Sequence, residues 1–238
     1  DVDAMEDLQI NQYGDELYSA LRERRMVEPL TEREPKITIA DAYEVSLRLL
    51  ARRQADGEVV IGKKIGVTSK AVQNMLGVHR PDFGYLTDRM VYSNGDDVAV
   101  SEEMIQPRAE GEIAFILKQD LTGPGVTNAE VMAATAGVMA CFEIVDSRIR
   151  NWEIKIQDTI ADNASCGVFV LGDALVDPND VDLTTCGMVL ERNGEIVATG
   201  AIWDQRDYKQ AVVTGYAPWL AATRGLLNLG LSALGQPT

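Results

Sequence analysis

The sequence predicts an α+β fold in which a helical opening quarter is followed by a β-rich remainder. Residues 6–26 and 39–55 carry apolar side chains at helical spacing, whereas short apolar runs separated by turns begin at Val59. Apolar residues make up 46% and charged residues 25% of the 238 residues, as in an ordinary globular protein. We therefore expect a helical portion over residues 1–57 and a β-rich domain over residues 58–238.

Sequence signals at the helix ends support the helical part of this prediction. Thr38 followed by Asp41 resembles the N-terminal cap of the second helix, and Asp56-Gly57 supplies its stop. Gly14 interrupts the apolar pattern of the first helix, because glycine is a poor helix former. The opening quarter is thus predicted to hold two helices.

Short apolar runs predict the β-rich remainder. Strands or buried runs are predicted over residues 59–67, 98–100, 110–117, 138–145 and 168–171. Thr127-Asn-Ala-Glu130 has the spelling of a capping box, which places a helix before the fourth of these runs. Arg192-Asn-Gly194 between two further apolar runs predicts a β-hairpin.

Charge and hydropathy narrow the classes of partner. The formal net charge of −15 would repel a phosphate backbone, which argues against general binding to nucleic acids or anionic membranes. No stretch reaches the roughly 18 apolar residues of a membrane span, and residues 1–30 are too charged for a secretory signal. We expect a cytoplasmic protein that acts on a small molecule.

Cysteine and histidine usage restricts the metal chemistry. Cys141, Cys166 and Cys186 form no CxxC pair and are interpreted as reduced core residues. The single histidine, His79, lies in a turn-like stretch and is expected to be exposed, which leaves too few histidines for a multi-histidine zinc site. A metal here would rest mainly on oxygen ligands, which favours Mg²⁺ or Mn²⁺.

Three glutamates are the strongest chemical feature. Glu110 and Glu112 open a predicted strand, and the period of two residues directs both carboxylates to one face. Glu143 interrupts an otherwise apolar strand, where an unpaired buried carboxylate would be costly. If the three converge, each pair at about 4 Å repels by roughly 4 kcal/mol at an effective dielectric constant near 20, which a divalent cation would relieve. The spacing leaves open a second arrangement, in which Glu110 and Glu112 line a solvated face and Glu143 pairs with an arginine such as Arg148.

A lysine between two glycines is the second feature. In residues 62–66, Lys64 shares a predicted strand face with Gly62 and Gly66, whereas Lys63 lies on the other face. Glycine neighbours leave room for a ligand, and a lysine there can stabilise an enolate or relay a proton. The alternative is an ordinary surface lysine.

A polar loop over residues 158–167 is the third feature. Its amides and the hydroxyl of Ser165 could receive a carboxylate. The alternative is an ordinary turn that Asx hydrogen bonds stabilise.

Together these motifs resemble the 2-hydroxypenta-2,4-dienoate (2-oxopent-4-enoate) hydratases of the fumarylacetoacetate hydrolase superfamily, over about residues 10–200. The runs that carry the resemblance are GKKIGVTS (62–69), PDFG (81–84), PRAEGEIA (107–114), FEIVDSRIR (142–150) and ADNASCG (161–167). The resemblance implies a mixed, strongly curved β-fold with an N-terminal helical portion. It assigns the metal ligands Glu110, Glu112 and Glu143, the catalytic residues Lys64 and Asp82, and the substrate-binding residues Ser165 and Asn163.

The same resemblance implies a reaction. With Mg²⁺ or Mn²⁺ as cofactor, we expect water to add to the small 2-oxo acid and give 4-hydroxy-2-oxopentanoate, in meta-cleavage degradation of aromatic compounds. Lys64 would stabilise the enolate, Asp82 would shuttle protons, and Ser165 with neighbouring amides would hold the carboxylate. Proteins of this type commonly form ring-like homo-oligomers, and a complex with neighbouring pathway enzymes is a further expectation.

Alternatives to the hydratase remain open. The first is 4-oxalocrotonate decarboxylase, which the resemblance implies shares the carboxylate set. A carbon–carbon hydrolase is disfavoured, because His79 lies outside the matching position. From residue 202 the sequence departs from the family pattern, so a catalytically impaired partner subunit is another alternative. In this tail we predict a helix over residues 217–231, from the spacing of its leucines.

Overall fold

Helices occupy the first quarter of the structure and strands dominate after it. The computed structural model describes residues 5–67, 73–74, 76–183, 186–201 and 226–228. In that part of the chain the helices are α1 (Asp7–Glu23), α2 (Leu30–Arg33), α3 (Ile39–Ala55), α4 (Val100–Glu103), α5 (Asn128–Ala134) and α6 (Ile156–Ala161). The strands there are β1 (Val60–Gly66), β2 (Asp82–Thr87), β3 (Val91–Ser93), β4 (Pro107–Leu117), β5 (Thr135–Asp146), β6 (Val168–Leu171), β7 (Gly187–Arg192), β8 (Glu195–Ala201) and β9 (Leu226–Asn228).

Capping boxes begin two of the helices, as predicted. The Thr38 hydroxyl accepts a hydrogen bond from the Asp41 amide at 3.1 Å, and the Asp41 carboxylate accepts one from the Thr38 amide at 2.9 Å. Thr127 and Glu130 form the same reciprocal pair at the start of α5. Each box satisfies amides that the first turn of a helix leaves without partners.

Gly14 interrupts the apolar pattern of α1 but lies inside a continuous helix, as predicted for this segment. A Cβ at Gly14 would come within 2.9 Å of the Val45 carbonyl oxygen and would also overlap the side chain of Arg48. The glycine therefore allows α1 and α3 to pack closely, which offsets its low helix propensity. None of the helices in the described ranges is both long and apolar enough to cross a bilayer.

The strands of the described residues form three separate sheets. The largest has the order β3-β6-β5-β4-β9, with β3 and β6 parallel and the other pairs antiparallel, so it is mixed as predicted. Strands β1 and β2 form an antiparallel pair, and β7 and β8 form the predicted hairpin. Asn193 and Gly194 turn that hairpin with φ values of 54° and 81°, the left-handed region that such turns require. The α+β fold class is confirmed.

Three clusters of buried apolar residues lie in the described part of the chain, and two of them show how the layers are joined. The first joins α1 and α3 to α6 through buried residues such as Leu17, Leu49 and Ile160. The second lies against the large sheet and contains Phe115 and Val131. Because α6 follows β5 in the chain, the helical portion shares its core with residues beyond the predicted boundary at 57, and that boundary stays a prediction.

Some elements differ from their predictions. Residues 98–100 do not form the predicted strand, and the helix α4 begins at Val100 instead. Most of the predicted helix over residues 217–231, like most of the tail from residue 202, lies outside the described residues. Leu226–Asn228, which are described, form the strand β9 beside β4, so the helix is wrong for these three residues.

Candidate metal centre

The three glutamates predicted as ligands converge on one face of the large sheet. Strand register places Glu110 directly opposite Glu143, while Glu112 lies opposite Cys141. One carboxylate oxygen of each glutamate lies within 4.8 Å of the others. Glu112 is 2% and Glu143 is 4% exposed, which excludes the alternative of a solvated face for Glu112.

Burial of the opposite strand face fixes this register. Ile113 and Phe115 point away from the glutamates into the apolar core, and Phe115 is fully buried. At Gly111 a Cβ would overlap Met188 and come within 2.7 Å of Leu190, so the hairpin β7–β8 covers this face closely. A slip of one residue would exchange the two faces and bury the glutamates in the apolar core.

The electrostatics of the cluster suit a divalent cation. Burial, followed by the negative charge of Glu143, raises the pKa of Glu110 to about 7 in the metal-free protein. Carboxylates this close favour either protonation or capture of a cation. The set of three oxygen ligands, with two of the residues buried, therefore fits a hard ion such as Mg²⁺ or Mn²⁺.

Lys64 contacts this cluster directly. Its Nζ lies 3.1 Å from Glu143 Oε1, and both side chains are buried. Burial alone would lower the pKa of Lys64, but Glu143 and the neighbouring Asp82 and Glu110 outweigh it and hold the pKa above its ordinary value. Lys64 is therefore a buried ammonium ion, not the surface lysine of the alternative interpretation.

Asp82 adds a further carboxyl group beside Lys64. It begins β2 opposite Gly66, and a Cβ at Gly66 would overlap Asp82 Oδ1 and lie 3.5 Å from Lys64 Nζ. Among the described residues, Oδ1 of Asp82 is buried without a hydrogen-bond partner. Burial raises the pKa of Asp82, the charge of Lys64 opposes this shift, and the charge of Glu143 adds to it.

The loop with Ser165 and Asn163 is unusually constrained. Asn163, Ala164 and Ser165 have φ values of 53°, 52° and 53°, three consecutive residues in the left-handed region. The Ser165 hydroxyl lies 3.1 Å from that of Thr159. Asn163 accepts a hydrogen bond from the Tyr85 amide at 2.7 Å and donates one to the Tyr85 carbonyl at 2.9 Å. The Asn163 side chain is thus already engaged by the main chain of β2.

Cys166, the residue after Ser165, lies near Lys64. Burial raises the pKa of the Cys166 thiol to about 12. The positive charge of Lys64 opposes this shift, and the negative charge of Glu143 adds to it. Cys166 is therefore a neutral buried thiol near these two groups. The core location predicted for the cysteines is confirmed for Cys166, whereas Cys141 and Cys186 are half-buried, and all three are free.

Arg148 has a different partner from the one proposed on the sequence. Its guanidinium group pairs with Asp162, not with Glu143. Both residues are buried, and burial raises the pKa of Asp162 to about 6 despite the charge of Arg148. Sequence reasoning did not assign this pair, although two charged residues in otherwise apolar or small-residue runs were a signal for it.

Lys63 lies outside the cluster, as the strand alternation predicts. Its Nζ lies 5.6 Å and 5.3 Å from the ring centres of Phe83 and Tyr85. Burial lowers the pKa of Lys63 to about 8. The two adjacent lysines therefore have different surroundings, which makes Lys63 a natural control for Lys64. His79 is exposed, as expected.

Comparisons with known proteins place the chain among described relatives. A family model described as fumarylacetoacetate (FAA) hydrolase C-terminal matches residues 57–205. The chain is 68% identical over 192 residues to a 2-hydroxypent-2,4-dienoate hydratase of Pseudomonas putida. This match covers 81% of this chain and 86% of the relative. It is 52% identical over 225 residues to a 2-hydroxyhexa-2,4-dienoate hydratase of Comamonas testosteroni, with 94% and 84% covered.

Solved structures share the fold. A 4-oxalocrotonate decarboxylase from Pseudomonas putida G7, complexed with magnesium and adipate, has a TM-score of 0.80 at 28% identity and covers 96% of this chain and 92% of that one. A fumarylpyruvate hydrolase from Pseudomonas aeruginosa, in complex with Mn²⁺ and pyruvate, has a TM-score of 0.53 at 13% identity. The match covers 72% of this chain and 77% of the hydrolase chain, and at this identity it supports the fold alone.

Proposed function

The chain belongs to the 2-hydroxypenta-2,4-dienoate hydratase family of the fumarylacetoacetate hydrolase superfamily, and we propose that it adds water to 2-hydroxypenta-2,4-dienoate. The product of this hydro-lyase reaction is 4-hydroxy-2-oxopentanoate, and the reaction serves the meta-cleavage degradation of aromatic compounds. The observation that supports the proposal best is the convergence of Glu110, Glu112 and Glu143 beside Lys64.

The cofactor is a divalent cation such as Mg²⁺ or Mn²⁺. We propose that Glu110, Glu112 and Glu143 hold it, since their carboxylate oxygens are the ligands that hard cations prefer. When bound, the cation supplies Lewis-acid polarisation of the substrate's carboxylate and 2-oxygen. The protein contributes the buried, preformed arrangement of these three ligands on two paired strands.

Lys64 stabilises the negative charge that develops on the substrate. When the dienol loses its hydroxyl proton, charge builds on the 2-oxygen, and a buried ammonium ion stabilises such an anion more strongly than water does. The raised pKa of Lys64 keeps it protonated at neutral pH. The contact with Glu143 holds the ammonium group at the edge of the cluster.

Asp82 moves protons during the same reaction. A proton leaves the 2-hydroxyl group of the dienol and one is added at C5, which gives the 2-oxo-3-enoate. The oxygen of water then bonds to C4 and a proton adds to C3, so that one water is consumed and no net charge is created. Asp82 is suited to this shuttle because it is buried beside Lys64 and its pKa is raised.

The loop over residues 163–165 receives the substrate's carboxylate. Ser165 contributes its hydroxyl group together with neighbouring main-chain amides. Asn163 contributes through the placement of the loop, because both polar atoms of its side chain already bond to Tyr85.

A 4-oxalocrotonate decarboxylase is the second candidate, because the structural similarity at a TM-score of 0.80 favours it. The two reactions differ in product. Incubation of the Mg²⁺-loaded protein with 2-hydroxypenta-2,4-dienoate should yield 4-hydroxy-2-oxopentanoate, identified by nuclear magnetic resonance. Release of CO₂ from 2-oxohex-3-enedioate, without hydration of the dienoate, would favour the decarboxylase instead.

We further propose a cytoplasmic homo-oligomer. The alternative of a catalytically impaired partner subunit remains open, since it rests on the sequence expectation that the tail from residue 202 departs from the family pattern. Size-exclusion chromatography of the protein, alone and with neighbouring pathway enzymes, combined with a turnover assay, separates the two. An active protein that elutes as a homo-oligomer supports the hydratase, whereas an inactive protein that co-elutes with a pathway enzyme supports the partner subunit.

A further inference from the structure

The loop over residues 162–166, here called the bridging loop, joins the two sheets that carry the site. Through Asn163 it is bonded to the main chain of β2, the strand that begins with Asp82. Through Asp162 and Cys166 it is bonded to Arg148, which follows β5, the strand of Glu143. The position of this loop therefore depends on an anchor at each sheet.

Arg148 supplies most of the anchor on the β5 side. Its Nε donates to the Asp162 carboxylate, its Nη2 to the Asp162 carbonyl at 2.6 Å, and its Nη1 to the Cys166 carbonyl at 2.8 Å. Nη1 also donates to the Asp146 carbonyl at 2.6 Å. The planar guanidinium group thus holds both ends of the bridging loop against the end of β5.

The conformation of the bridging loop requires such an anchor. Each residue with a left-handed backbone costs roughly 1–2 kcal/mol, and the loop contains three in succession, Asn163–Ser165. Residues in this region persist only where the surrounding structure over-determines them. Arg148 is 1% exposed, so water does not compete for the hydrogen bonds between its guanidinium group and the loop.

We propose that Arg148 is a positioning residue that holds the bridging loop in the conformation in which Ser165 and the loop amides bind the substrate's carboxylate. This inference rests on the proposed function, because it assumes that this loop receives the carboxylate. The guanidinium bonds go to the loop and to the end of β5, so a weakened anchor should reduce substrate binding more than the chemical step or metal binding.

Arg148→Lys is the first test, because lysine keeps the charge beside Asp162 but loses the fork that reaches both ends of the loop. The matched control is Arg53→Lys, a second buried arginine whose guanidinium bonds to Glu58 and Thr87 instead of the loop. In Arg148→Lys we expect KM for the dienoate, and Kd for the unreactive saturated analogue 2-oxopentanoate, to rise roughly tenfold or more, about the loss of one good hydrogen bond. We expect kcat to stay within about threefold and the Mg²⁺ affinity to match that of the control.

The double variant Arg148→Met/Asp162→Asn is the second test, since it leaves no lone buried charge that would prevent folding. It should show the same rise in KM and in Kd for 2-oxopentanoate. The positioning role would be overturned if a folded Arg148 variant had the same KM for the dienoate and the same Kd for 2-oxopentanoate as Arg53→Lys. A fall in kcat at unchanged KM in an Arg148 variant would overturn it as well. Failure of the proposed function is distinguishable, because the unmodified protein would then not hydrate the dienoate.

Discussion

Lys64 Nζ lies 3.1 Å from Glu143 Oε1, so the lysine proposed for catalysis contacts one of the proposed metal ligands. The two residues lie on different sheets, since Lys64 is in β1 and Glu143 is in β5. Both a cation at the glutamates and the ammonium group of Lys64 interact with the negative charge of Glu143. Metal occupancy and the position of Lys64 are therefore expected to be coupled.

Replacement of Lys64 should separate its catalytic role from metal binding. In Lys64→Ala we expect turnover to fall by roughly 10²–10⁴-fold, because the positive charge at the 2-oxygen is lost. Mg²⁺ affinity should be unchanged or higher, since the variant removes a cation that competes for Glu143. Steady-state kinetics and titration calorimetry measure the two quantities.

Lys63→Ala is the matched control, and it should retain turnover because Lys63 lies over Phe83 and Tyr85. A large loss of turnover in Lys63→Ala, with Lys64→Ala nearly normal, would reverse the assignment of the two lysines.

Glu112→Gln should weaken Mg²⁺ binding at least about tenfold, because hard-cation sites depend on the charge of their ligands. Titration calorimetry on the purified variant checks this. Glu102→Gln, an exposed glutamate outside the cluster, should bind Mg²⁺ as the unmodified protein does. Unchanged affinity in a folded Glu112→Gln variant would contradict the three-glutamate site.

Deletion of residues 202–238 should lower stability without abolishing metal binding. The deletion removes β9, which pairs with Ala114, Phe115 and Ile116 of β4, the strand that also carries two of the glutamates. None of the proposed ligands lies in the deleted part. Urea unfolding measures the loss of stability, and calorimetry measures Mg²⁺ binding. A truncated protein that remains folded but no longer binds Mg²⁺ stoichiometrically would show that the tail supplies a ligand.

The ionisation of Glu58 should make the free energy of unfolding depend on pH in the acid range. Burial opposes its ionisation, but hydrogen bonds from Thr87, Arg22 and Arg53 and the arginine charge outweigh it, so its folded pKa lies below the ordinary value. Its stabilisation is therefore present above the unfolded pKa of about 4.3 and is lost as pH falls through the lower folded pKa. Urea unfolding at pH 7 should show Glu58→Gln to be less stable by roughly 3–5 kcal/mol, because Arg53 is left buried and unpaired.

The difference between Glu58→Gln and the unmodified protein should narrow progressively as pH falls below about 4.3, because Glu58 then takes up a proton more readily in the unfolded state than in the folded state, whereas glutamine carries no charge at any pH. Glu16→Gln serves as control, since the Glu16–Arg33 ion pair is partly exposed and should contribute less than about 1 kcal/mol. A difference for Glu58→Gln that stays constant between pH 7 and pH 3 would contradict this account.

Local patterns predicted the parts of the site that lie within one element. The period of two residues placed Glu110 and Glu112 on one face, and the same alternation separated Lys63 from Lys64. The contact between Lys64 and Glu143 could not be predicted, because it depends on how β1 packs against the large sheet.

Elements without a strong local signal were missed for physical reasons. Asp82–Thr87 becomes a strand through pairing with β1, and its run lacks the alternating pattern that identifies a half-buried strand. Leu227 lies at helical spacing from Leu220 and Leu231 in the sequence, but pairing with β4 determines the structure of Leu226–Asn228. The bridging-loop anchor at Arg148 links residues that are distant in sequence, and only the folded chain brings them together.

The most direct test of the central claim is the ultraviolet assay of dienol loss on chelator-treated protein, before and after addition of Mg²⁺ or Mn²⁺. We predict that 2-hydroxypenta-2,4-dienoate is consumed slowly without the cation, that either cation restores turnover, and that Glu112→Gln is restored poorly at the same concentration. Equal rates with and without cation in the fully chelated protein, or full restoration of Glu112→Gln, would contradict a metal-dependent hydratase built on Glu110, Glu112 and Glu143.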